Sequence, residues 1–256
     1  MFEDLKLPIK IEPSPIKKTV FEIRYNTKIP GDAVLGTLYP VIRKYFSAAP
    51  ESLPILQLPV KIREADPNLR YQPYHKVAKG NLGMTIGAHS IVFTCEAPYC
   101  GWIPWKNFFL PILEEIFALD FFDFIERTGF RTINMFSQHF MEKTNTVLEV
   151  SGRSVVNQPT SLRTEFAEKN YKVVVNLADG IPVQSIQLNN NTTVKAFGAV
   201  LDIDCIRILD TDFSDFKKIY EEVIEESHLF GKKYFFGMLK KSFLETFHPV
   251  YNEGDR

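Results

Sequence analysis

Residues 98–136, PYCGWIPWKNFFLPILEEIFALDFFDFIERTGFRTINMF, join a turn rich in Gly, Pro and Trp to an apolar helix and then to a strand. Phe109, Ile112, Leu113, Ile116 and Phe117 recur at i, i+3, i+4, i+7 and i+8, which is one face of an amphipathic helix. Beyond Asp120 the pattern turns to β-branched and aromatic residues with polar ones between. A strand is therefore expected from about Phe124, carrying Arg131 and Asn134.

Towards the N-terminus, Pro8, Pro13 and Pro15 make residues 1–15 an extended arm. Thr19–Tyr25 (TVFEIRY) alternates, with Phe21, Ile23 and Tyr25 on an apolar face and Val20, Glu22 and Arg24 on the other. Pro30-Gly31 turns the chain, Asp32 is placed as an N-cap, and Leu35, Leu38, Ile42 and Phe46 give a helical face kinked at Pro40. Between Pro54 and Glu96 strands are expected, from the β-prone Ile55, Leu58, Val60 and Ile62 onward, with a turn at Asp66-Pro67-Asn68. Towards the C-terminus, YKVVVNL is followed by a hairpin turn at Ala178-Asp179-Gly180, and a further turn falls at Asn189-Asn190-Asn191. A final helix, capped by Asp212 or Ser214, carries Phe216, Ile219, Tyr220, Val223 and Ile224 on one face. Gly231 is expected to break it before Phe236, Leu239, Phe243 and Phe247 resume the stripe up to Pro249.

This pattern predicts an α+β protein of two antiparallel α+β lobes, residues 1–139 and residues 140–256, the second being a sheet with a long C-terminal helical tail. A diverged duplication would account for two such lobes, although no residue-level repeat marks one. The tail's stripe is longer than one lobe's sheet needs, so part of it should bridge the lobes or pack on a second copy in a symmetric dimer.

Of 256 residues, 45% are hydrophobic and 22 are Phe, enough for extensive aromatic packing. The net charge of −1, with acids and bases interspersed, gives no support for strong non-specific nucleic-acid binding. Cys95, Cys100 and Cys205 are an odd number without C-x-x-C or zinc spacing, so a reducing cytoplasm is expected rather than a disulfide framework. The opening MFEDLKLPIKIEP lacks an apolar core of leader length, and no run approaches the ~18 apolar residues of a membrane span.

Three segments, in this order, carry a family resemblance: SPIKKTVFEIRY, then PYCGW with a helix and ERTGFRTINMF, then LDIDCIRI with a helix that holds His228. Together they resemble a sporadically distributed prokaryotic family of proteins of about this length, whose biochemical role is not established. The resemblance spans nearly the whole chain and implies a prokaryotic cytoplasmic protein. The family's patchy distribution implies an accessory component of a mobile defence or toxin–antitoxin module. Lys17 and Lys18 stand where the family carries a glutamate, so no role of that carboxylate carries over.

Candidate ligand-binding residues follow from residue chemistry. Asp202 and Asp204 sit two apart on an expected strand and face one way, as a Mg²⁺ pair would, yet no Gly-rich phosphate loop accompanies them. Arg131 and Asn134, three apart, point to opposite faces unless a bulge intervenes. Arg24 lies on a polar face with Glu22; Tyr99 and Trp102 flank Gly101 in a loop suited to stacking or to packing; His228 is a lone helical histidine. G-x-S-x-G is missing, and Cys100 would need a histidine brought to it in space. A non-enzymatic binding protein is expected, with a protein partner or second copy, no cofactor, and nucleic acid not favoured. The alternative is a metal-dependent nucleotide- or nucleic-acid-processing enzyme using Asp202 and Asp204.

Overall fold

The computed structural model describes residues 5–187 and 192–252, with the side chains of residues 183–196 outside the description. The chain is α+β, built on a sheet with strand order β2-β3-β4-β5-β1-β6-β11-β10-β9. In chain order these strands are β1 (Ile16–Thr27), β2 (Glu51–Ser52), β3 (His75–Lys79), β4 (Leu82–Ile86), β5 (Ser90–Glu96), β6 (Phe122–Ser137), β9 (Thr160–Glu168), β10 (Tyr171–Gln187) and β11 (Thr192–Asp212). A separate two-stranded hairpin is β7 (Glu149–Val150) with β8 (Arg153–Ser154). The helices are α1 (Val34–Tyr45), α2 (Val60–Ala65), α3 (Trp102–Phe117), α4 (Phe213–Met238) and α5 (Lys241–Glu245). Among the described residues no helix is long and apolar enough to cross a membrane.

The chain forms two units, each assembled from separated segments. The first comprises Lys18–Phe130 and Ile206–Ser227; the second comprises the segment ending at Lys17, Arg131–Cys205, and the chain from His228 onward. The expected boundary after residue 139 is a single cut along the chain, whereas β6, β11 and α4 each run from one of these units into the other.

In the first unit, alternation along β1 buries Phe21, Ile23 and Tyr25 completely and leaves Glu22, Arg24 and Asn26 half-buried on the opposite face. β1 pairs antiparallel with β5, Phe21 opposite Phe93, and the ring of Phe109 stacks on both at 5.5 Å. The helical face expected around Phe109 is the one α3 buries: Trp105, Phe109, Ile112, Leu113, Ile116 and Phe117. α1 lies beside α3 through Phe46 on Phe108 and Lys44 on Glu115. The start of α4 meets α3 where Phe117 packs edge-on against Phe213 and Phe216.

Two local expectations for the first unit are corrected. Residues 54–65 form a 3₁₀ turn and α2 rather than strands. Pro54 and Pro59 each open a helical turn, where a missing N–H costs nothing, and Leu58, Val60 and Ile62 are exposed instead of lying in a ladder. The strand after α3 begins at Phe122, two residues before the expected start.

In the second unit, β9 and β10 form an antiparallel pair with Tyr171 opposite Glu168 and Asp179 opposite Thr160. The chain reversal is therefore at 168–171, and β10 runs straight through the expected turn at Ala178-Asp179-Gly180. Gly180 has φ +69° and a Cβ there would stand 3.2 Å from the Pro159 backbone, so the glycine serves a close approach within a strand rather than a hairpin. The expected turn at Asn189-Asn190-Asn191 lies outside the described residues. α4 continues through Gly231, which is buried. A mid-helix glycine costs only about 1 kcal/mol, so the surrounding helix formers and packing carry the helix across it.

The aromatic tail closes onto its own unit. Phe136 and Phe140 lie parallel with ring centres 3.9 Å apart, and Phe243 packs on both. Phe236, Leu239 and Phe247 are buried within the chain. The N-terminal arm joins the same region: Ile9 N–H donates to Val250, Val250 N–H to Lys10, and Glu12 N–H to Phe247.

Because Phe109 is fully buried between Phe21 and Phe93, Phe109→Ala should cost about 3–5 kcal/mol in urea unfolding. Ile103 on the same helix is 61% exposed, and Ile103→Ala should change stability by less than about 0.5 kcal/mol. Similar costs for the two would contradict this packing.

A half-buried arginine cluster as the candidate functional site

The polar face of the first unit collects three arginines and two glutamates from β1, β6 and the loop before β3. Glu22 Oε2 accepts from Arg24 Nε at 3.0 Å and from Arg127 Nη2 at 2.6 Å. Glu126 accepts from Arg70 Nη2 at 3.3 Å and, by a short hydrogen bond, from the Tyr71 hydroxyl. Arg70 Nη2 also donates to Asn26 Oδ1 at 2.6 Å. The central carbon of the Arg24 guanidinium lies over the Tyr71 ring, 4.3 Å from its centre.

Charge decides what this cluster is suited to. Its three cations face only two carboxylates, so among these groups one positive charge is in excess. The side chains of Glu22, Arg24, Arg127 and Glu126 are 17–27% exposed, so water screens that excess incompletely. The Nε–H groups of Arg70 and Arg127 are buried without a hydrogen-bond partner. Burial, then the hydrogen bond to Glu126, raises the Tyr71 pKa, so its hydroxyl stays a donor. His89 closes one edge: its Nδ1–H donates to the Tyr25 carbonyl at 3.2 Å. Burial first, and then Arg70, lower the His89 pKa.

The residues singled out from the sequence distribute as follows. Arg24 is in this cluster. Trp102 is the first residue of α3 and packs on Trp105 and Phe130, while burial pushes the Tyr99 hydroxyl pKa up. In the second unit, Arg131 clasps Asp202 with both ends of its fork, Nε to Oδ1 at 2.7 Å and Nη2 to Oδ2 at 2.6 Å. Asn176 donates to the same carboxylate at 3.4 Å, and Arg163 to Asn176 at 3.3 Å. Asn134 is buried and donates to the Leu201 carbonyl at 3.1 Å, so it does not join Arg131 at one site. Asp204 and His228 are half-buried. Among the described residues no group of three or more His, Cys, Asp or Glu side chains is placed to hold a metal ion.

Sequence reading missed Asn26, Arg70, Tyr71, Glu126 and Arg127. Arg70 and Tyr71 follow the Asp66-Pro67-Asn68 turn in an irregular segment, where no periodicity assigns a side chain to a face. Glu126 and Arg127 are consecutive on β6, yet both reach the polar cluster, which strict alternation forbids.

The His89 environment has a signed consequence. An unfolded histidine titrates near about 6.5, and the folded state holds His89 below that. Stability is therefore full above the unfolded value and falls as pH drops from there through the folded-state pKa. Between pH ~7.5 and ~5.5, His89→Gln should lose less unfolding free energy than the wild type in urea titrations. Equal losses would show that His89 does not couple to folding.

No protein-family model matches this chain, and no curated protein matches it.

Proposed function

We propose that this chain is a non-enzymatic binding protein that receives an anionic group, a phosphate or carboxylate, at the arginine cluster of the first unit. The observation that carries this reading is the imbalance of three guanidinium groups against two carboxylates in a half-buried setting. A third anion would neutralise the excess charge of the three guanidinium groups. The Tyr71 ring under Arg24 and the carboxylate of Glu22 beside it hold the guanidinium in place, which favours recognition of an oxyanion.

The near-neutral net charge of −1 argues for an anion on a small ligand or a protein side chain rather than a long nucleic acid. Both oxygens of Asp202 accept from Arg131, which supports its reading as an ion-pair partner rather than as a metal ligand with Asp204. The resemblance drawn from the three sequence segments adds a prokaryotic cytoplasmic setting in an accessory module, and the identity of the neighbouring genes tests that part.

Inorganic pyrophosphate is a suitable probe. At a concentration about 100-fold above its Kd, binding to the folded state stabilises by about 2.7 kcal/mol. Each kcal/mol raises Tm by about 2–4 °C for a chain of this size. Wild type and Arg163→Gln, altered at an exposed position of the second unit, should show the rise, and Arg127→Gln should lose most of it. No rise, or an undiminished rise in Arg127→Gln, would contradict the proposal.

A further inference from the structure

The end of β5 and the start of α3 are separated by a short loop, Ala97-Pro98-Tyr99-Cys100-Gly101, that returns Cys100 to the strand it has just left. The Cys100 and Cys95 sulfurs lie 3.6 Å apart. Cys95 is fully buried and held in a ladder, opposite Thr19 on β1 and Leu82 on β4. Cys100 is exposed. The loop is pinned from one side by Asn81, whose side-chain amide donates to the Pro98 carbonyl at 2.6 Å, to the Glu96 carbonyl at 3.3 Å and to the Cys95 sulfur at 3.7 Å. Asn81 also accepts from Glu96 N–H at 2.8 Å. One thiol is thus fixed and shielded, and the other is accessible and held beside it.

The geometry points to Cys95 and Cys100 as a reversible dithiol–disulfide pair, a modification site in which low-molecular-weight disulfides act on the exposed thiol and the buried thiol resolves the product. A disulfide needs its sulfurs about 2.05 Å apart. Cys100, at the solvent side of the loop, supplies the movement by a change of rotamer, while Cys95 stays in its ladder.

The exchange balances in two steps. The Cys100 thiol loses its proton to solvent and its sulfur attacks one sulfur of the small disulfide. That S–S bond breaks, a mixed disulfide forms on Cys100, and one small thiol leaves carrying a proton. Cys95 then loses its proton and attacks the Cys100 sulfur, forming the internal S–S bond and expelling the second small thiol. Two protein thiols are oxidised by two electrons, and one small disulfide is reduced to two thiols. Burial, then the hydrogen bond with Cys95, pushes the Cys100 thiol up to about 11, so the rate should rise about tenfold per pH unit across neutral pH. Cys205, buried elsewhere in the fold, takes no part.

The test uses the whole protein with oxidised glutathione, followed by acid quenching, alkylation and intact-mass analysis at two pH values. The expected product has lost two hydrogens, retains one alkylatable thiol, and yields on digestion a Cys95–Cys100 linked peptide. Reduced glutathione should reverse it, and Cys100→Ser, an exposed change that spares the core, should abolish it. A mixed disulfide that persists on Cys100, a link through Cys205, a covalent dimer, or unreacted thiols at both pH values would each overturn the inference.

Discussion

Strict alternation along β1 is the constraint on which the first unit depends. One set of side chains, Phe21, Ile23 and Tyr25, enters the aromatic core against Phe109 and Phe122. The interleaved set, Glu22, Arg24 and Asn26, supplies one wall of the polar cluster. A register shift of one residue would exchange the two sets and place charge in the core. The same six-residue run, Phe21–Asn26, therefore fixes both the stability of the unit and the position of its candidate site.

The cluster is held by cross-links between segments distant in sequence. Glu22 bridges to Arg127, and Glu126 bridges to Arg70 and Tyr71, so β1, β6 and the loop before β3 hold one another. Rigid, half-buried guanidinium groups lose little entropy when they meet a ligand, which is the condition for an ordered anion site. The second unit handles a comparable group differently. Asp202 is satisfied by Arg131 and Asn176, and the Arg131 fork is matched oxygen for oxygen.

Much of the fold was legible where apolar side chains keep a period. The α3 face and the two faces of β1 read directly from spacing, because burial enforces 3.6-residue and two-residue repeats. Glycine and proline misled where their local meaning depends on neighbours. Gly180 looks like a turn residue, yet its role is set by Pro159 pressing on it, which no local pattern reveals. Gly231 looks like a stop, yet the helix carries through it. The candidate site was legible at Arg24 and at Glu22 on the same face of β1. Its members outside β1 come from an irregular loop and from a strand that departs from alternation, so their convergence is tertiary information. Asp202 and Arg131 were each visible as candidates, but residues 71 positions apart carry no local pattern that pairs them with one another.

The central claim is that the cluster carries one cation more than its acids balance, and a comparison of two charge-neutralising variants tests it most directly. Glu22→Gln leaves Arg24 and Arg127 facing each other without their shared acceptor, and should cost about 2–3 kcal/mol in urea unfolding. Arg127→Gln removes a cation from a cluster that has one too many while Glu22 keeps Arg24, and should cost about 1 kcal/mol or less. Glutamate loss costing clearly more than arginine loss is the predicted result; equal costs, or a larger cost for Arg127→Gln, would contradict the charge excess and with it the anion site.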